Sequence, residues 1–181
     1  MNISGQREII VDDTILLIEL GLDHVEAIFN SIINERDYLE EWLPFVEFTH
    51  EISYTHRFVE NYLNSDKSDA TFAIYYKSEF VGIIGLKNTD PVNKKTEIGY
   101  WLSQSYQHRG IITLSCKALI NYAFDRLQIN RIQLKAATGN LKSQQVAQRL
   151  GFSIEGIERD GELHVRGFVD LVVFSLLKTD R

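Results

Sequence analysis

The stretch Gln107-His108-Arg109-Gly110-Ile111-Ile112-Thr113 holds the residue types best suited to chemistry in this chain. It follows a strand-like run, Glu97 to Leu102, and precedes a helix-like run from about Thr113 to Leu127. Its backbone N–H groups therefore lie where a strand hands over to a helix N-terminus, an arrangement that suits an anion. Gly110 allows close backbone approach, and the first N–H groups of a helix have no intrahelical acceptor. Each hydrogen bond to a charged acceptor contributes roughly 1.5–3 kcal/mol net, so three or four such donors with Arg109 suffice to hold a diphosphate without metal. The plain alternative is an ordinary turn in which Gly110 eases the bend and Arg109 is solvated, and one glycine alone would favour it.

Asn140 and Ser143 come next. Asn is a favoured helix N-cap, with Ser143 in the turn after it, so a purely structural role is open to both. Glu97 and Glu162, taken by themselves, read as solvated surface acids. The five histidines, His24, His50, His56, His108 and His164, show no metal-ligand spacing, and no metal site is expected. The single cysteine, Cys116, excludes an internal disulfide. It belongs to the apolar stripe Ile112, Cys116, Leu119, Ile120, Ala123 and Leu127, whose helical spacing turns it toward a core.

The elements that must position these residues alternate between α and β. A hairpin is expected from Arg7–Val11 and Thr14–Glu19 across Asp12-Asp13, then a helix from near Asp23 with Leu22, Val25, Phe29, Ile32 and Ile33 on one side. A helical turn over Glu35 to Trp42 should stop before Pro44, since the residue preceding proline is driven out of the helical region. A helix over Ile52 to Leu63 comes next, and strands at Thr71–Tyr76, Phe80–Lys87 and Glu97–Leu102 form a meander with a charged gap at Asp90 to Lys95. The strand Arg131–Ala136, a helix Leu141–Leu150 and strands Phe152–Glu158 and Phe168–Leu177 complete the set. The β-α-β order of the second half demands a parallel crossover, so an α/β fold with a mixed sheet is expected.

At 181 residues and 44% hydrophobic, the chain fits one domain spanning residues 1–181. Its formal net charge of −6 argues against nonspecific nucleic-acid binding, which depends on Lys and Arg releasing counterions, and against an anionic membrane surface. No signal peptide or membrane-length apolar run is visible, so a cytoplasmic location is expected.

The ordered set Glu97-Ile98-Gly99-Tyr100-Trp101-Leu102, Gln107-x-x-Gly110, Asn140-x-x-Ser143 and Leu150-Gly151-Phe152 resembles the GNAT superfamily of acetyl-CoA-dependent N-acetyltransferases. With Glu41-Trp42-Leu43-Pro44-Phe45, Glu155-Gly156, Arg159, Gly167-Phe168 and Asp170, the chain is similar to the RimJ/RimL branch, which acetylates the N-terminal amines of ribosomal proteins. The resemblance implies acetyl-CoA as co-substrate, held by Leu102, the loop residues Gln107, His108, Arg109, Gly110, Ile111, Ile112 and Thr113, and by Asn140 and Ser143. It implies two parallel strands, Glu97–Leu102 and Arg131–Ala136, that splay to admit the thioester. Ser143 is implied as the acid that protonates the leaving thiolate, because the usual tyrosine position holds Ala147. Either Glu97 or Glu162 is implied as base. Ile112 also departs from the pattern, which has Gly or Ala there. Tyr38, Trp42 and Phe45 are implied as the acceptor wall, though their aromatics could equally serve the contact of a homo-oligomer. A small amine acceptor and a non-catalytic acyl-CoA sensor are the alternatives. An α-amine with pKa about 7.8 is roughly 10–15% neutral at pH 7, against about 0.04% for lysine, so an N-terminal acceptor needs the least help from a base.

Overall fold

The computed structural model describes residues 6–65 and 68–181. Asp12 makes the first turn by accepting from the N–H groups of Thr14 and Ile15 (2.7 and 2.8 Å), which joins β1 (Glu8–Ile10) to β2 (Ile15–Glu19). The remaining strands are β3 (Ala70–Tyr76), β4 (Glu79–Asp90), β5 (Lys95–Leu102), β6 (Arg131–Ala137), β7 (Ser153–His164) and β8 (Gly167–Leu177). They form one sheet in the order β1-β2-β3-β4-β5-β6-β8-β7. Every neighbouring pair is antiparallel except β5 and β6, so the sheet is mixed, as the β-α-β order requires.

The helices are α1 (Val25–Asn34), α2 (Arg36–Leu39), α3 (Ile52–Asn64), α4 (Ile111–Asp125) and α5 (Leu141–Arg149). Side chains alternate across β5, and the two cores arise from that alternation. Ile98 and Leu102 join the cluster that buries Ile111, Leu119, Phe124 and Val146 of α4 and α5. Trp101 points the other way, into the cluster with Val25, Ile28 and Val59 of α1 and α3. Burial also pushes the Cys116 thiol well up, in keeping with its place on the buried stripe of α4.

The parallel pairing of β5 with β6 is short. It runs through Lys95↔Arg131, Thr96↔Ile132 and Glu97↔Gln133 and then stops. Each strand keeps its outer neighbour much further: β5 stays on β4 to Gly82↔Leu102, and β6 stays on β8 to Ala137↔Leu171. Ser103 donates its N–H to the Val81 carbonyl at 2.8 Å. By the alternation of an antiparallel ladder, Tyr100 and Leu102 therefore turn their backbone polar groups away from β4, into the gap beyond the last β5–β6 pair. Gly82 shows what holds β5 on that side. A Cβ there would lie 2.2 Å from the Trp101 carbonyl oxygen, so only glycine lets the two strands approach this closely.

Several elements differ from the sequence expectation. α4 starts at Ile111, two residues early, so Ile111, Ile112 and Thr113 are its first turn, with Ile111 fully buried and Ile112 half-buried. The charged gap after β4 shrinks because β4 runs on to Asp90 and β5 begins at Lys95. A single turn of tighter 3-10 helix occupies Pro44–Phe48, started by the proline at its first position. β7 reaches His164, with register shifts between Ile154 and Gly156 and between Glu158 and Glu162. Glu162 thus lies on a strand and not in a loop. Among the described residues no helix is long and apolar enough to cross a membrane.

Gly→Ala at an unstrained position usually stabilises by about 0.4–1 kcal/mol, but overpacking costs about 1–3 kcal/mol. Gly82→Ala is expected to obey the second rule, because the methyl group meets backbone that cannot yield without moving β5. Urea unfolding should show the loss; unchanged or higher stability would mean that Gly82 does not set the β4–β5 distance.

Candidate active site

Both arms of the gap end in a helix N-terminus. On the β5 side the chain passes through His108 (φ 61°) and Gly110 (φ 76°), both left-handed, before entering α4. Leu114 makes the first intrahelical bond, to the Gly110 carbonyl at 3.0 Å, which leaves the N–H groups of Ile111, Ile112 and Thr113 as the free donors of the first turn. Among the described residues nothing lies within 4 Å of where a Gly110 Cβ would stand, so the approach to these donors is open. Such a cradle of donors suits an anion.

On the β6 side Asn140 caps α5: its Oδ1 accepts the Ser143 N–H at 3.1 Å. The structural role foreseen for Asn140 is therefore the observed one. Ser143 itself does more than fill the turn. Its Oγ lies 2.9 Å from the hydroxyl of Tyr100 on β5, a hydrogen bond that crosses the gap. Burial pushes the Tyr100 phenol well up, so it stays protonated.

The loop residues are divided. Gln107 is fixed between two partners, donating through Nε2 to the Tyr38 hydroxyl and accepting through Oε1 from Lys142 Nζ at 2.9 Å. Lys142, in the first turn of α5, thereby ties the two helix N-termini together and adds a cation beside them. Arg109 turns elsewhere. Its guanidinium lies over the rings of Tyr106 (5.2 Å) and Tyr76 (5.9 Å) and donates to the Ser105 carbonyl at 3.2 Å.

The segment after α1 spans the mouth of the gap. Tyr38 on α2 reaches the β5 arm through Gln107, and Trp42 lies against the β6 arm, where a Cβ on Gly139 would sit 3.8 Å from its ring. Glu35 strengthens the first contact by accepting the Gln104 N–H at 2.8 Å. Arg36 fixes the turn beyond α2, donating to the carbonyls of Val46 (2.5 Å) and Thr49. Phe45 is left exposed at this edge. Burial, then the nearby Glu35 carboxylate, raise the Tyr38 phenol.

The two carboxylates stand apart from that network. Glu97 is at the closed end of the gap, its side chain 13% exposed and paired with Lys87 Nζ at 3.0 Å. Glu162 bonds through Oε2 to Nε2 of the buried His164 at 2.8 Å. Among the described residues no hydrogen bond joins either to Ser143. By strand alternation Glu97 shares the face of Trp101, with α1 and α3, whereas Tyr100 and Ser143 meet on the face of α4 and α5. A base and an acid placed in this way would work from opposite faces of the sheet, through the gap.

Sequence reasoning missed Tyr100, Lys142, Glu35 and Arg36. Their partners lie 10 to 69 positions away along the chain, and only Tyr100 carried a signal, as the one hydroxyl in the run Ile98 to Leu102.

Residues 14–153 match the model of the acetyltransferase (GNAT) domain. The chain is 39% identical over 159 residues to the putative ribosomal N-acetyltransferase YdaF of Bacillus subtilis (strain 168), covering 86% of each. It is 29% identical to the ribosomal-protein-serine acetyltransferase of Escherichia coli (strain K12), over 91% of this chain and 93% of that one. Its fold superposes with a TM-score of 0.92, at 24% identity, on a solved ribosomal L7/L12 alpha-N-protein acetyltransferase, RimL, in complex with coenzyme A, over 97% of this chain and 100% of that one.

The cradle makes a direct prediction for acetyl-CoA. Gly110→Asp should weaken its binding at least tenfold, about 1.4 kcal/mol, by setting a carboxylate beside the free donors. The side chain has room, so the loss of stability should stay near the 1–2 kcal/mol of a left-handed non-glycine residue. Calorimetry with thermal melting separates the two effects: unchanged affinity, or collapse of the fold, would leave Gly110 as a turn residue only.

Proposed function

Because the chain belongs to the acetyltransferase (GNAT) domain family, we propose that it transfers the acetyl group of acetyl-CoA to the N-terminal α-amine of a protein, with a ribosomal protein as the first acceptor to try. That it is an acetyltransferase comes from the family. The choice of acceptor rests on the relatives, of which one is named for ribosomal-protein serine, and on the observation that carries the reading: a gap in the sheet with an aromatic segment, Tyr38 to Phe45, across its mouth.

Acetyl-CoA supplies an acyl group activated as a thioester. The first-turn N–H groups of α4 and the capped turn at Asn140 suit its diphosphate and amide-bearing arm, and the gap between β5 and β6 suits its narrow end. The acceptor amine enters past Tyr38 and Trp42 and attacks directly in a ternary complex, so no acyl-enzyme forms; Cys116, buried on α4, is out of reach. The Leu102 N–H, turned into the gap, donates to the carbonyl oxygen as negative charge develops there. Ser143 Oγ passes a proton to the departing sulfur. Glu97, on the amine's face of the sheet, and Glu162, on β7, are the two groups able to take the amine proton through water.

The acceptor class is tested by steady-state turnover with a serine- or alanine-initiated peptide, spermidine and a small aminoglycoside. The peptide is expected to exceed both in kcat/KM by about 100-fold or more, the range of a site built around its substrate. Preference for the polyamine or the small amine would discard the N-terminal assignment, and absence of turnover with any amine would favour a sensor. In the same assay Ser143→Ala should lower kcat about 100-fold with little change in KM for acetyl-CoA. Glu97→Gln and Glu162→Gln should differ, with the true base losing the acidic limb of its pH profile.

A further inference from the structure

We infer that Tyr100 is a positioning residue for proton delivery, its phenol O–H donating to Ser143 Oγ so that the serine proton points into the gap, where the sulfur must leave. The inference rests on the reading of Ser143 as the proton donor and adds to it the group that aims that donor.

The geometry leaves few other arrangements. Ser143 is held from behind, its N–H bound to Asn140 Oδ1 at 3.1 Å. Its hydroxyl has one proton, and Tyr100 is its neighbour at 2.9 Å. If serine donated to tyrosine, the phenol proton would be left with the Ser143 carbonyl at 3.5 Å, a long and weak bond. If tyrosine donates to Oγ, the serine proton is free to turn toward sulfur. Negative charge on the sulfur selects that second arrangement, because a chain of donors, Tyr100 to Ser143 to sulfur, polarises cooperatively. Tyr100 is well suited to the first position. It stands on the part of β5 that has left β6, packs against the buried cluster that contains Cys116, and keeps its proton because burial disfavours the phenolate.

The proton count closes without a phenolate. As the amine nitrogen bonds to the carbonyl carbon and the C–S bond breaks, the electron pair stays on sulfur. Ser143 Oγ gives its proton to that sulfur and is reprotonated through water from the glutamate, Glu97 or Glu162, that takes the proton nitrogen sheds as the amide forms. Tyr100 holds its own proton throughout and fixes the serine oxygen beside the sulfur.

Tyr100→Phe removes one oxygen and keeps the packing. Three readouts test it beside Ser143→Ala and the double variant: kcat against KM, the thermal midpoint, and the pKa of the CoA thiol in the binary complex, read from thiolate absorbance. Tyr100→Phe should lower kcat about tenfold with KM for acetyl-CoA and the midpoint unchanged. The double variant should be no slower than Ser143→Ala alone, since residues acting in series do not add. The bound thiol should titrate about one unit higher in Tyr100→Phe, Ser143→Ala and the double variant alike, because each loses the donor chain to the thiolate. A native kcat in Tyr100→Phe, a fully multiplicative double variant, or a thiol pKa that moves in Ser143→Ala only would overturn the role of Tyr100. A Ser143→Ala variant with native kcat and thiol pKa would instead remove Ser143 as donor, which is the failure of the underlying reading.

Discussion

A backbone N–H or C=O inside a sheet needs a partner, and β5 gives up its partners on one side after Glu97. Everything at the site depends on that loss. The strand tolerates it because its other edge is held without a break to Leu102, on a neighbour whose Gly82 leaves room for close approach. β6 is held as firmly from its far side, by seven register pairs with β8 and by Arg131, which reaches Glu155 on β7 at 2.5–2.7 Å while Ser175 of β8 donates to the same carboxylate. Two strands that would otherwise close on each other are each bound outward. Their free polar groups face a slot that a substrate amide or carbonyl can satisfy.

The same separation lets two faces of one sheet cooperate. A closed sheet would isolate Glu97, among side chains on the α1 and α3 face, from Ser143, which meets Tyr100 on the face of α4 and α5. Amine attack and thiolate departure are opposite events at one carbon, and groups serving them are best placed on opposite sides of it. The helix N-termini add donors at the open end, and Gln107 with Lys142 keeps the two termini in fixed relation. The α2 segment then closes over the mouth through Tyr38 and Trp42.

What the sequence disclosed was local. The left-handed Gly110, the Asn140 cap and the buried stripe of α4 are each fixed by residues within a turn of one another, so spacing reveals them. The splay itself came through resemblance, since periodicity says nothing about how far two strands stay paired. Tyr100 and Ser143, and likewise Tyr38 and Gln107, are joined across 43 and 69 positions, a separation at which no local pattern survives. The ring contacts of Arg109 were half hidden: Tyr106 is three residues before it, but Tyr76 reaches it only through the fold. β7 runs past the expected end at Glu158 because its Glu-Arg-Asp-Gly-Glu run lacks apolar alternation, the only local sign by which an edge strand with shifted register could be followed.

Amide hydrogen exchange resolved to single residues tests the opening between β5 and β6 most directly. With no ligand, the N–H groups of Tyr100 and Leu102 should exchange much faster than those of Trp101 and Ser103, whose bonds go to β4, and acetyl-CoA should slow Leu102 in particular. Equal protection of all four amides without ligand would mean that β5 and β6 are paired where the site requires them to be open.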